Sequence, residues 1–321
     1  MLLKPSNRAE LRREISRAAA DRCAIQGWDL SALSSVLAYT PEDMTVTVEA
    51  GMTLATLQAI LARHRQWVPL DPPLADVGSL EQLLSENVSG PRRFGNGTAR
   101  DHVIGLRAIL ADGREIHSGG NVVKNVAGYD LHKLYIGARG SLGVIAEVTF
   151  KLSPLPEAEA FFEVDCSDWA EAEKRFDQVW CAPFQLIAFD LHRVETESPI
   201  TVVLGFAGAR EDVENQSAWA VSNGFRPGAG LGHDARFWSG SREVPVAFKS
   251  VLPSDLISTL RHLGPGPWIA RAGNGAIYQR STTPSLGGVL NSQPRSPALT
   301  ELARRIKREF DPHDLFPPIP S

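Results

Sequence analysis

The stretch from Gly119 to Ile145, GGNVVKNVAGYDLHKLYIGARGSLGVI, limits most tightly what this chain can fold into: it holds six glycines in 27 residues. Glycines set around apolar strand starts imply a backbone that comes close to something flat or charged, because no Cβ intervenes. N–H groups in such turns can hold a phosphate or the polar edge of a ring. Tight turns in an antiparallel sheet need the same residues, so composition alone leaves both readings open.

The flanking pattern predicts mixed helix and sheet. Residues 8–20 read as an amphipathic helix capped by Ser6 or Asn7. Thr45 to Glu49 alternates with β-branched residues and reads as a strand closed by Gly51. Leu54, Leu57, Ile60 and Leu61 have helical spacing. Residues 78–97 are rich in Ser, Gly, Asn, Pro and Arg. Asp112-Gly113, between runs at 103–111 and 115–118, signals a hairpin, and Val144 to Leu152 is a strand. Pro154 and Pro156 mark the best domain boundary. Beyond them strand and helix alternate twice, with strands near 161–164, 186–192, 200–206, 246–251, 268–272 and 275–279. Helices fall near 169–179, 211–223 and 254–263. Short loops between these elements predict an antiparallel sheet covered on one face by helices, a ferredoxin-like arrangement. The expected class is α+β in two lobes: residues 1–155 with a returning helix at 297–316, and a cap at 156–296.

Charge and cysteine usage narrow the function. The formal net charge of −4 on 321 residues argues against a nucleic-acid or anionic-membrane surface. Cys23, Cys166 and Cys181 are too few and too far apart for a disulfide framework or a metal site. They suit a reduced, cytoplasmic protein. The N-terminus has no apolar run long enough for a signal peptide or a spanning helix. Membrane association, if any, is expected only at the inner face through a partner. The eight histidines have no metal-ligand spacing. His132 alone falls inside the glycine-rich run, where a structural role is expected. No GxGxxG follows a strand as an NAD-dependent dehydrogenase would need.

The full strings are more specific than the composition. KNVAGYDLHKL followed by GARGSLGVI resembles the flavin-binding domain shared by glycolate oxidase subunits and D-lactate dehydrogenases, within the PCMH-type (vanillyl-alcohol-oxidase) FAD-binding superfamily. Residues 46–73, residues 89–116 and IKREFDPHDLF near the C-terminus are similar to other blocks of that family, and the smaller flavin subunits of bacterial glycolate oxidases are the nearest in kind. The resemblance implies FAD, a 2-hydroxy acid such as glycolate or D-lactate, a larger FAD-binding subunit and an iron–sulfur subunit. It also implies a set of cofactor-facing residues. Ser89, Gly90, Gly95 and Gly97 would let the isoalloxazine lie against the backbone. Arg93 and Arg100, with Arg92, would balance phosphate or ring charge, or else lie in a solvated loop. Asp101 would face the cofactor or pair with an arginine. Lys124, Asn125 and Tyr129 lie in the densest match, with Asp130 expected to hold the turn. Gly140, Gly143, Val144 and Ile145 would border the adenosine half.

Two blocks of the family are missing. A Gly-Gly-Gly-Thr/Ser loop normally wraps the pyrophosphate after the first strand, yet here Ile25-Gln26-Gly27 runs straight into Trp28-Asp29-Leu30. Thr-x-Gly-Gly is replaced by Gly78-Ser79-Leu80-Glu81, which puts a carboxylate where an anion should bind. The tail reads Pro317-Pro318 in place of Asn-Pro-Gly-Arg. FAD is therefore expected to be held weakly or with a partner's help. The alternative is a non-catalytic scaffold subunit that kept the fold and lost the flavin.

Overall fold

The computed structural model describes residues 1–73, 75–120, 130–195, 197–240, 244, 246–280 and 296–319. The chain opens with β1 (Leu2–Leu3) and α1 (Arg8–Ala20), whose N-cap Asn7 accepts the Glu10 amide at 2.9 Å. Next come β2 (Gly27–Trp28), β3 (Val36–Thr40), β4 (Thr45–Glu49), α2 (Leu54–Leu61), β5 (Gln66–Trp67) and α3 (Leu80–Glu86). Two single-turn helices, α4 (Arg93–Asn96) and α5 (Ala99–His102), lead to β6 (Val103–Ile109) and β7 (Glu115–Gly119). The Asp112-Gly113 hairpin between those strands forms as the dipeptide predicts, with Gly113 at φ +79°. α6 (His132–Tyr135), β8 (Val144–Lys151) and β9 (Ser153–Pro154) complete this half.

The second half runs β10 (Ala158–Cys166), α7 (Trp169–Trp180), β11 (Ala188–Arg193), β12 (Ile200–Gly208), α8 (Arg210–Ser222), β13 (Arg226–Pro227) and α9 (Gly232–Ser239). β14 (Val246–Ser250), α10 (Leu256–Arg261), β15 (Trp268–Arg271), β16 (Ala276–Arg280) and the closing α11 (Pro297–Phe310) follow. The contacts divide the chain into two compact units. One holds Met1–Ser89, Thr98–Leu155 and the C-terminal helix; the other holds Gly90–Gly97 and the residues between Leu155 and that helix.

The first unit is built on a five-stranded antiparallel sheet in the order β3-β4-β8-β6-β7. Leu54, Leu57 and Leu61 of α2 pack with Val46, Val48, Ile145, Val148 and Phe150. Leu11, Ile15 and Ala18 of α1 pack with Ile109, Val144 and Ala146. β8 is therefore apolar on both faces, and Val144 to Phe150 are all buried. The polar stretch 78–97, to which composition assigns no element, contains α3. Ser79 caps it by accepting the Gln82 amide at 3.2 Å, and Asn87 ends it at φ +53°. Leu80, Leu83 and Leu84 sit at helical spacing and are buried, so the signal was present between the polar residues.

The second unit is a seven-stranded antiparallel sheet in the order β13-β10-β12-β11-β15-β16-β14. The first four strands have the spatial order of a ferredoxin-like β-α-β-β-α-β unit. β14, α10, β15 and β16 repeat its first half, and the two halves join where β11 pairs with β15. One apolar cluster unites Ala172, Phe176 and Val179 of α7, Val213 of α8 and Leu256 and Leu260 of α10 with Phe189, Leu191, Val202 and Leu204 of the sheet. The fold is thus mixed helix and antiparallel sheet, as the element order predicts.

α11 and the tail are fixed in the first unit by charge as well as by packing. Lys307 Nζ donates to the Asp311 carboxylate, to the Ser141 carbonyl at 3.0 Å and to the Phe316 carbonyl at 3.2 Å. Asp311 in turn accepts the Leu315 and Phe316 amides, each at 2.8 Å. Lys307→Met leaves the Asp311 charge buried and unpaired, which costs about 3–5 kcal/mol. Urea unfolding of Lys307→Met and of Lys307→Met with Asp311→Asn checks this. The single variant loses the larger part of its stability, and the double variant recovers some of it.

Candidate functional site

The glycine-rich run ends in a turn between α6 and β8. Gly137, Arg139, Gly140 and Gly143 all have positive φ, at +87°, +50°, +71° and +149°. The turn sits against the C-terminal end of α3. Gly137 N–H donates to the Leu84 carbonyl at 2.9 Å and Arg139 N–H to the Ser85 carbonyl at 2.8 Å. Ala138 and Ser141 N–H close on the Tyr135 and Ala138 carbonyls at 3.1 and 3.0 Å. At Gly143 a Cβ would stand 2.7 Å from the Ile109 carbonyl oxygen, where β8 starts its pairing with β6. At Gly140 a Cβ would stand 2.4 Å from the Trp28 ring. The flat body that Gly140 admits is thus an indole of the same chain.

Trp28 is held from two further directions. Its ring meets Phe316 edge-on at a centroid distance of 6.1 Å, and the Glu81 side chain lies near it. Glu81 Oε1 is buried with no hydrogen-bond partner. Burial pushes Glu81 up to about 7, with the polar edge of Trp28 pulling the other way. The first amides of α3 are occupied too: Leu80 N–H donates to the Met52 carbonyl at 2.8 Å and Glu81 N–H to the Ala50 carbonyl at 2.7 Å.

The remaining residues named from the sequence have varied surroundings. Ser89 Oγ is buried without a partner, as is the nearby Asn87 Oδ1. In the second unit, Gly90 accepts the Arg93 amide at 3.3 Å and Gly97 lies at φ +85°. Gly95 is there for packing: a Cβ would stand 2.6 Å from both Ile187 Cα and the Leu186 carbonyl oxygen. Arg92 pairs with Glu159. In the first unit, Arg100 donates to the Ile136 carbonyl at 2.7 Å. Among the described residues Asp101 pairs with no arginine; its carboxylate accepts the Thr98 amide at 2.7 Å and hydroxyl at 2.9 Å, a capping box that lowers its pKa. Val144 and Ile145 pair with Ile109 and Ala108 in the sheet. Asp130 pairs with Lys133 at 2.9 Å. His132 is buried, its N–H donating to Ser118 Oγ at 2.9 Å. Lys124, Asn125 and Tyr129 lie outside the described residues. Cys23 and Cys181 are exposed and Cys166 is buried.

The sequence reading missed a buried polar cluster on the second unit's sheet. Asp190 and His192 lie two apart on β11 and so share a face. Arg271 stands directly across from Asp190 on β15, and α9 adds His233 and Asp234. Arg271 donates to Asp190 and Asp234, and His233 Nε2 lies 2.8 Å from Asp190. The His192 and His233 rings stack at 4.6 Å. Burial raises Asp190, but Arg271 and the His233 hydrogen bond outweigh it and hold the carboxyl below its usual range. Burial, then His233, pushes His192 down to about 3. The signal was the pair of polar residues at alternate positions of an otherwise apolar strand. Among the described residues no group of three His, Cys, Asp or Glu is placed to hold a metal ion. No described helix is long and apolar enough to cross a membrane.

Part of the chain matches a known family of domains. Residues 4–119 match the FAD binding domain family (FAD_binding_4), a PCMH-type domain, and FAD is the cofactor that match indicates. The chain is 36% identical over 134 residues to the glycolate oxidase subunit GlcE of Escherichia coli (strain K12), covering 41% of this chain and 38% of that one. It is 37% identical over 128 residues to the glycolate oxidase subunit GlcD of Bacillus subtilis (strain 168), covering 40% and 27%. With the mitochondrial D-lactate dehydrogenase [cytochrome] of Arabidopsis thaliana it shares 38% over 130 residues, covering 40% and 22%. The matched region thus spans less than half of each of these relatives. In fold, the chain is similar to a solved structure of alkyldihydroxyacetonephosphate synthase, with a TM-score of 0.70 at 15% identity over 98% of this chain and 75% of that one.

Two pH dependences follow. Glu81 is raised from 4.5 to about 7, so its folded state binds the proton more tightly. Its stabilising effect is complete below pH 4.5 and is lost as pH rises to about 7, a slope worth at most on the order of 3 kcal/mol. Glu81→Gln removes that slope, read as urea midpoints between pH 4 and 8. His192, lowered from 6.5 to about 3, acts in the opposite direction. Stability present above pH 6.5 is lost as pH falls toward 3, and His192→Phe flattens that acid limb.

Proposed function

We propose, from the premise that residues 4–119 carry an FAD binding domain, that this chain is a subunit of a 2-hydroxy-acid oxidoreductase assembly of the glycolate- or D-lactate-oxidising kind. It works there with a larger FAD-binding subunit and an iron–sulfur subunit. One observation carries the reading: the chain is similar over 128–134 residues to glycolate oxidase subunits and to a D-lactate dehydrogenase, and its family match, residues 4–119, lies within the first unit apart from residues 90–97. Similarity to two kinds of glycolate oxidase subunit supports a place beside sister chains. The described residues at the Gly137–Gly143 turn fit a structural role, so no step of the oxidation is assigned to them. Among the described residues of this unit, Ser89 Oγ, Asn87 Oδ1 and Tyr135 Oη are buried and without partners.

The test is co-expression of the full chain with the two proposed partners, followed by affinity capture on this chain. All three chains are expected together, with glycolate- or D-lactate-dependent dye reduction in the captured material. Capture of this chain alone, with the activity left in the unbound fraction, refutes the assembly.

A further inference from the structure

We propose that Trp28 occupies the position a dinucleotide's diphosphate end would need, so that this chain as folded holds no FAD of its own. The proposal goes beyond the assembly reading and stands independently of it.

A glycine turn binds a phosphate by two properties: N–H groups that point outward with nothing to bond, and open space above a residue without Cβ. This turn has lost the open space and keeps only part of the donor set. The amides of Gly137, Ala138, Arg139 and Ser141 are bonded to carbonyls of the same unit, at 2.8–3.1 Å. The space above Gly140 holds the Trp28 ring, 2.4 Å from where a Cβ would stand. The loop after β2 is drawn in as well. Ser31 N–H is taken by Asp29 Oδ1 at 3.1 Å and Leu33 N–H by the Leu30 carbonyl at 2.7 Å. The backbone from Leu30 to Leu33 lies directly on Gly51, where a Cβ would stand 1.8 Å from the Leu30 carbonyl oxygen.

The charge is also wrong. The titratable group near Trp28 is the Glu81 carboxyl, and a carboxylate repels a diphosphate. The Lys307 ammonium bonded to the Ser141 carbonyl points its other protons to Asp311 and the Phe316 carbonyl. Trp28 is not a loose cover. Its ring packs on Gly140 on one side and edge-on against Phe316 on another, and its strand β2 is paired with β1. Asp29 N–H, just beyond it, donates to the Leu3 carbonyl at 2.8 Å.

The experiment uses the full chain, alone and in the captured assembly. FAD released by acid is counted per chain. In parallel the chain is labelled with 5-fluorotryptophan, the Trp28 fluorine signal is assigned with Trp28→Phe, and FAD is titrated in. The expected result is no FAD released from the chain alone and a Trp28 signal that does not move. FAD per larger subunit should be the same with and without this chain. One equivalent of FAD per copy of this chain, alone or assembled, or a saturable FAD-dependent shift of the Trp28 signal, overturns the proposal. Trp28→Phe keeps a ring over Gly140, so assignment does not depend on a variant with an emptied site. FAD in this chain would leave the assembly reading intact, and failed capture of partners would leave this one intact.

Discussion

The first unit depends on two carbonyls, those of Leu84 and Ser85 at the end of α3, which accept the Gly137 and Arg139 amides. A helix leaves its last carbonyls without partners, and a glycine turn leaves its amides without partners. Here each satisfies the other. That exchange docks the turn on α3, brings Gly140 under Trp28 and sets the point where β8 leaves Gly143 to enter the sheet. It also joins α11, because the next carbonyl in the turn, that of Ser141, receives Lys307. The same backbone groups cannot also hold an anion. Closing this end of the fold and binding a phosphate there are competing uses of one set of donors.

Much of the fold was legible because its signals are local. Asn7, Asp168 and Ser296 cap their helices. Asp112-Gly113 makes its hairpin, and the alternation of strand and helix beyond Pro156 gives the second sheet. α3 was obscured by its setting: three leucines at helical spacing lie in a run of Ser, Gly, Asn and Arg, and composition outweighed periodicity. The site was legible only in part. Gly119, Gly140 and Gly143 are positions of close approach, whereas Gly137 makes only ordinary contacts and, among the described residues, nothing stands near Gly120; sequence alone left open what approaches. At Gly95 it is the backbone of Leu186 and Ile187, and at Gly143 it is the Ile109 carbonyl. Partners so far apart along the chain are set by tertiary packing.

The second unit shows the converse. Asp190, His192, His233, Asp234 and Arg271 lie on three elements and have no motif spacing, yet the fold gathers them into one buried cluster. The topology does this in two steps. Antiparallel pairing of β11 with β15 sets Arg271 opposite Asp190, and α9 supplies His233 and Asp234 to the same pair. Asp190 Oδ1, His192 Nδ1, His233 Nδ1 and Arg271 Nε are buried without partners. Such groups carry a desolvation cost that strong ion pairs offset only in part. The apolar clustering of α7, α8 and α10 with Phe189 and Leu191 anchors the same strand that displays the charged pair.

The carboxyl at position 81 weighs against a shared site more than the lost glycines do. A missing loop weakens binding; a buried acid opposes it. Two unit charges 4 Å apart repel by about 4 kcal/mol at an effective dielectric constant near 20. With its pKa near 7, Glu81 is close to the balance between charged and neutral forms at neutral pH. A diphosphate brought to the Gly140 turn would push that balance toward the protonated acid and would also have to displace the Trp28 ring that stands over Gly140. Four amides of the turn, those of Gly137, Ala138, Arg139 and Ser141, are already bonded and cannot help to meet that cost. Trp28 and Glu81 therefore oppose a diphosphate together, the indole by filling the space above Gly140 and the buried acid by its charge.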